Sequence, residues 1–136
     1  MASLKSREDF DRYQTAFHAG DCDTAFEYLV EKPRVSVFGH PITTPFQLHQ
    51  LYRFLREYVR ETVRIERFAI SDDLIAVEAL VQVKGLRDLD LQSLREHGLY
   101  QLHPIGAGES QLMRNFVHYR LLDGKIETGI CLQAPS

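Results

Sequence analysis

The chain has 136 residues, of which 44% are apolar and 26% charged, and its 16 Lys and Arg against 19 Asp and Glu give a formal net charge of −3. This length and composition fit one globular domain (residues 1–136), which can bury a core without a metal ion or a disulfide. The acidic balance argues against a nucleic-acid-binding protein, which would need a basic surface.

The first part of the chain predicts two short helices followed by a strand. Ser6 is a suitable N-cap residue, and apolar residues then recur on one helical face until Gly20, where a left-handed residue is favoured. Asp21 caps a second helix, which we expect Pro33 to end. Residues 34–38 follow as a short strand.

The clearest local signal marks the start of a third helix. Thr44 is the N-cap, Pro45 takes the first helical position and Gln47 the third, which together predict a capping box. The helix then carries one apolar stripe, formed by Leu48, Leu51, Tyr52, Leu55 and Val59.

The rest of the chain is rich in β-branched residues and predicts two hairpins. Their strands are residues 62–71, 74–85, 112–122 and 126–133. The second hairpin turns at Asp123 and Gly124, a strong short-range hairpin signal. Residues 86–111 form an insertion between the hairpins, about twice the usual connection length, with one short helix in it. Helices followed by strands indicate an α+β fold, with helices on one face of an antiparallel sheet.

Metal, redox and membrane chemistry are not expected. Cys22 and Cys131 match no zinc or redox spacing, and the six His residues form no metal-binding motif, so we expect no cofactor and no metal. No stretch has the roughly 20 apolar residues of a membrane span, and the first residues lack a signal-peptide core. These features predict a cytoplasmic protein that binds neither membrane nor nucleic acid.

A run of charges covers the end of the third helix and the strand that follows. Between residues 53 and 67, five arginines alternate with Glu57, Glu61 and Glu66. The interleaved signs predict a solvated, ion-paired surface.

Three motifs carry a family resemblance. Residues 17–21 have the sequence FHAGD at the turn between the first two helices, residues 45–55 form the third helix, and residues 119–126 have the sequence YRLLDGKI. In this order and spacing, they resemble the nuclear transport factor 2-like superfamily, which includes SnoaL-like polyketide cyclases and ketosteroid isomerases. The resemblance covers residues 7–133. It implies a cone of cystatin-like α+β type, in which a curved antiparallel sheet wraps around three helices and leaves a pocket at the open end.

The resemblance implies a catalytic role for Tyr13. This residue precedes Asp21 by eight positions, as the oxyanion-hole Tyr does in the steroid isomerases, and a phenol in an apolar pocket can donate to a developing enolate. The alternative is a plain core aromatic. The isomerases' catalytic Asp aligns with Val37 and Phe38, neither of which can abstract a proton, so that mechanism is not expected. His40 is close enough to substitute as the base, or is a loop residue.

Alternation along the strand 112–122 separates two faces. Asn115, Val117 and Tyr119 form the less charged set and should face inward, where Asn115 and Tyr119 would position a substrate. His118 should then face outward, although a one-residue bulge would reverse the assignment and make it a second candidate base. The residues expected to line the pocket are Phe17, Val37, Phe38, Tyr52, Phe54 and Val117.

Two functional classes remain open from the sequence. One is a cofactor-independent isomerase, cyclase, dehydratase or hydrolase that acts on a small apolar carbonyl or cyclic substrate. The other is a non-catalytic ligand-binding or dimerisation module. A homodimer through the outer face of the sheet is expected in either case, because Leu80, Leu112 and Phe116 fall on outward positions. The insertion 86–111 could be a lid, an interface arm or a long loop.

Overall fold

The computed structural model describes residues 2–135, which form four helices and one sheet of six strands. In chain order the elements are α1 (Arg7–Ala19), α2 (Cys22–Phe26), β1 (Leu29–Val37), β2 (His40–Ile42), α3 (Pro45–Tyr58), β3 (Val59–Ile70), β4 (Leu74–Gly85), α4 (Leu91–Glu96), β5 (Ser110–Leu122) and β6 (Lys125–Pro135). The strand order is β2-β1-β6-β5-β4-β3, and each neighbouring pair is antiparallel except β1 and β6, which are parallel. The predicted α+β class with a curved sheet is therefore confirmed, and the parallel pair is an addition to it.

The helix boundaries follow the local capping signals. The Ser6 hydroxyl accepts a hydrogen bond from the Asp9 backbone N–H, and Gly20 ends α1 with a left-handed φ of 79°. Thr44 and Gln47 form the predicted capping box at the start of α3. No helix within residues 2–135 combines the length and apolar character needed to cross a bilayer.

The predicted limits of the second helix and the first strand were wrong. α2 ends at Phe26, β1 already begins at Leu29, and Pro33 lies inside that strand. The pairing of β1 with β6 shifts register between Leu29 and Arg34. Pro33 lies in this irregular stretch, where its missing N–H interrupts no regular ladder. β4 has the predicted limits, and β3, β5 and β6 each begin slightly earlier than predicted.

The insertion is a packed part of the core. Its buried apolar side chains are Leu89, Leu94, Leu99, Leu102 and Ile105, which all join the cluster around α3. The Gln101 backbone N–H donates to the carbonyl oxygen of Phe38 at 2.9 Å. At the end of β4, a Cβ added to Gly85 would lie 2.2 Å from the Gly106 carbonyl oxygen, so the insertion returns directly against a bare backbone.

The interior divides into two apolar clusters. One surrounds α3 and the insertion and includes Leu48 and Leu94, while the other lies between α1 and the sheet and includes Phe10 and Ile75. Phe17 packs against both. The space between the two clusters is open, and it forms the cavity described next.

Candidate functional site

A cavity of about 150 Å³ lies between α1, α3 and the inner face of the sheet. A cavity of this size can hold a single six-membered ring. Its wall is mostly apolar and contains five of the six residues expected there: Phe17, Val37, Phe38, Tyr52 and Val117.

Two tyrosines and one asparagine bring polar groups to this apolar wall. Tyr13 and Tyr119 lie with ring centroids 6.4 Å apart, edge to face. Burial raises the pKa of both phenols well above its usual range, so both hydroxyls stay neutral and can donate. Asn115 lines the same cavity, and its buried Oδ1 has no hydrogen-bond partner among the described residues.

Three other residues singled out from the sequence lie outside this cavity: His118 has the outward position expected from alternation, whereas the expected positions of His40 and Phe54 are corrected. His118 is exposed on the outer face of the sheet because β5 keeps its regular alternation there. His40 lies in β2 with its ring against Gly98 of the insertion. Phe54 faces away from the cavity on α3 and stacks on His97, with ring centroids 3.7 Å apart.

Glu61 is a wall residue, so the prediction that it belongs to the solvated, ion-paired surface was wrong. β3 alternates strictly at its start, so Val59, Glu61, Val63 and Ile65 face inward between exposed residues. The Glu61 side chain is only 17% exposed. The apolar alternation around Glu61 was the signal that could have identified it.

A chain of polar contacts connects Glu61 to Tyr119. His18 Nδ1 lies 3.4 Å from Glu61 Oε1, and His18 Nε2 lies 2.9 Å from Gln14 Oε1. The Gln14 side chain also interacts with the Tyr119 phenol, and this partly offsets the rise in the pKa of Tyr119 caused by burial and by Cys131.

The end of α1 is fixed by an arginine from α3. Arg56 Nη2 donates to the His18 carbonyl oxygen at 2.8 Å, and its guanidinium lies 5.7 Å from the centre of the Tyr52 ring. Gly20 makes this approach possible, since a Cβ there would lie 2.8 Å from Arg56 Nη1. The C-cap of α1 thus also sets the position of His18.

A cleft of about 240 Å³ adjoins the cavity. Four residues line both spaces: His18, Phe38, Tyr52 and Glu61. Arg56 and Arg60 line the cleft but not the cavity. His18 and Glu61 therefore lie at the boundary between the apolar cavity and a basic outer cleft. Within residues 2–135, no group of three or more His, Cys, Asp or Glu side chains is arranged to hold a metal ion.

The structure is similar to solved structures of low sequence identity. A SnoaL-like polyketide cyclase from Agrobacterium tumefaciens has a TM-score of 0.68 at 10% identity, with 96% of this chain and 93% of that chain covered. A nuclear transport factor 2-like protein of unknown function from Burkholderia pseudomallei has a TM-score of 0.62 at 14% identity, covering 90% and 85%. An LEH-like epoxide hydrolase of M. tuberculosis has a TM-score of 0.60 at 14% identity, covering 92% and 79%.

A scan against models of protein families and a search of curated proteins both find no match. At these identities, similarity of structure establishes the fold and leaves the activity to be argued from the site. The chain has the cone-shaped fold of the SnoaL-like and nuclear transport factor 2-like proteins.

Proposed function

We propose that the cavity binds a small apolar molecule with a carbonyl or hydroxyl oxygen, and that it catalyses a cofactor-independent reaction such as an isomerisation, cyclisation, dehydration or hydration. The observation that carries this proposal is the pair of buried tyrosines, Tyr13 and Tyr119, in a mostly apolar cavity wall, because a neutral phenol hydroxyl can donate to a substrate oxygen. The buried Asn115 Oδ1, which has no partner among the described residues, can accept from the O–H of a ligand that carries a hydroxyl.

The two tyrosines supply the chemistry. Their neutral hydroxyls can donate to a substrate oxygen, and such bonds strengthen as negative charge develops there in the transition state. The structural similarity to a polyketide cyclase and an epoxide hydrolase also favours an enzyme that acts on a small organic molecule.

Cyclohexanone tests the proposal because it combines one six-membered ring with one carbonyl oxygen. We expect saturation-transfer NMR to detect binding of cyclohexanone and of benzene to the wild-type protein. Tyr119→Phe keeps the ring and loses the hydroxyl, and one lost hydrogen bond should weaken cyclohexanone binding by up to about tenfold. Benzene binding should not change.

Tyr58→Phe is the matched control, because Tyr58 packs against Phe54 outside the cavity. It should leave both affinities unchanged. If the wild-type protein bound neither probe, or if Tyr119→Phe weakened both equally, the proposed site would be refuted.

A further inference from the structure

Glu61 is the one acidic side chain among the described residues that line the cavity. It projects from the edge strand β3, with Val63 on the same inner face and Val83 opposite it on β4. Few polar groups surround this carboxylate, and most of its side chain is shielded from water. The orientation of the carboxylate therefore depends on a small number of neighbours.

Those neighbours come from three elements. His18 approaches from α1 at 3.4 Å. Tyr52 faces it from α3, close enough for the Glu61 charge to add to the rise that burial causes in the pKa of that phenol. Arg56, also from α3, and Arg60, next along β3, line the adjoining cleft together with Glu61. The Glu61 carboxylate thus has an imidazole and a neutral phenol near it, and two arginines line the cleft outside.

His18 has a side-chain partner at each of its two ring nitrogens. One ring nitrogen faces Glu61 and the other faces Gln14, so the ring cannot rotate without losing a partner. The Arg56 contact to the His18 carbonyl fixes the same residue through its backbone. This carboxylate lines the same cavity as two neutral hydroxyls that can donate to a substrate oxygen, and proton abstraction next to a carbonyl requires both kinds of group.

We propose that Glu61 is the general base of the cavity and that His18 is its positioning residue, an inference that rests on the proposed function. The Glu61 carboxylate takes the proton from a carbon next to the substrate carbonyl. The C–H electron pair becomes the double bond of an enolate, and the negative charge moves to the oxygen, which Tyr13 and Tyr119 stabilise. Glu61 then returns the proton to the same or another carbon, so no oxidant or reductant is needed.

The test follows deuterium incorporation into cyclohexanone in D₂O, monitored by proton NMR. We expect the wild-type protein to catalyse exchange at the carbons next to the carbonyl. Glu61→Gln keeps the shape and loses the base, and it should slow exchange about 100-fold or more. Its affinity for cyclohexanone should stay within about twofold of the wild-type value.

Glu66→Gln is the matched control on the same strand. Glu66 faces outward and pairs with Arg64 and Arg114, so exchange should proceed at the wild-type rate. Equal exchange by wild type and Glu61→Gln would overturn the assignment of the base. Binding of cyclohexanone without exchange by the wild-type protein would also overturn it, and would favour a non-catalytic ligand-binding module. Loss of binding itself would instead refute the proposed function.

The positioning role of His18 has its own readout. His18→Ala should lower the exchange rate at saturating cyclohexanone and leave its Kd within about twofold, because His18 acts on the base. His18→Gln can still donate to the carboxylate and should recover a large part of the rate. If both variants lost cyclohexanone binding in step with their rates, or if His18→Ala kept the wild-type rate, the positioning role would be refuted.

Discussion

Tyr13 is the most deeply enclosed of the groups proposed to contact substrate, with 3% of its surface exposed. It packs between Phe10 and Phe17 of its own helix and edge-on against Tyr28. Burial and the neighbouring Tyr119 raise the pKa of its phenol well above the usual range. This environment keeps a proton on the oxygen, which suits a hydrogen-bond donor and excludes a base at neutral pH.

Tyr13→Phe should therefore reduce cyclohexanone exchange by about tenfold or more, through loss of one donor to the enolate oxygen. The ring contacts stay in place, so the free energy of unfolding should change little. Tyr28→Phe provides the control, because it removes a hydroxyl from a ring that touches Tyr13 and does not line the cavity. Unchanged exchange by Tyr13→Phe, measured by NMR as above, would contradict a role for this hydroxyl.

At the residue scale, the sequence predicted the side-chain orientations that depend on alternation along a single strand. The inward positions of Asn115 and Tyr119 followed from the period of a single strand. The contact between His18 and Glu61 joins α1 to β3. The sequence pattern within either element does not indicate that these two side chains meet. His40 and Phe54 were misplaced for the same reason, since packing against the insertion decides where they lie.

At the element scale, capping explains which boundaries could be predicted. The start of α3 is encoded by Thr44 and Gln47 within four residues, and the end of α1 by Gly20. The start of β1 depends instead on pairing with a distant strand, and this pairing also accommodates Pro33. The role of residues 86–111 likewise depends on packing, which the sequence left open among three alternatives.

The contact between β4 and the insertion gives a test of stability. Gly85→Ala would place a methyl group 2.2 Å from the Gly106 carbonyl oxygen, and the backbone must shift to relieve it. We expect the free energy of unfolding in urea to fall by about 1–3 kcal/mol. Gly129→Ala, also in a strand, would make only ordinary contacts of 3.4 Å and should cost clearly less. Equal losses in the two variants would show that the close return of the insertion is not what constrains Gly85.

At the scale of the whole molecule, the outer face of the sheet carries exposed apolar side chains. Phe116 of β5 lies opposite Leu132 of β6, which is 69% exposed, and Leu112 and Ile130 are exposed further along the same two strands. Leu80 of β4 is half-buried on the same face. The Arg114 ion pairs with Glu66 and Glu78 lie among these side chains, and a face that mixes exposed apolar and polar groups in this way fits a contact with another protein. We propose a homodimer through this face.

Light scattering after size exclusion should give a mass near twice the 15.7 kDa of one chain. The double variant Phe116→Glu/Leu132→Glu should shift the mass to that of one chain, because it places charges at the centre of the proposed contact. Tyr100→Glu changes an equally exposed aromatic on the insertion and should leave the dimer intact. A wild-type mass of one chain would refute the dimer.

The parallel pair of β1 and β6 has a consequence for the order of folding. Wall residues run from Tyr13 to Gln133, and β1 joins the main sheet through β6, the last strand in the chain. A hairpin such as β3–β4 can form from neighbouring segments of the chain. The pairing of β1 with β6 joins segments that are far apart in sequence, so it can form only after both strands are available. Affinity for a ligand should thus appear only in the final step of folding, after most secondary structure has formed. A variant that destabilises the pairing of β1 with β6 should lose binding before circular dichroism shows any loss of strand.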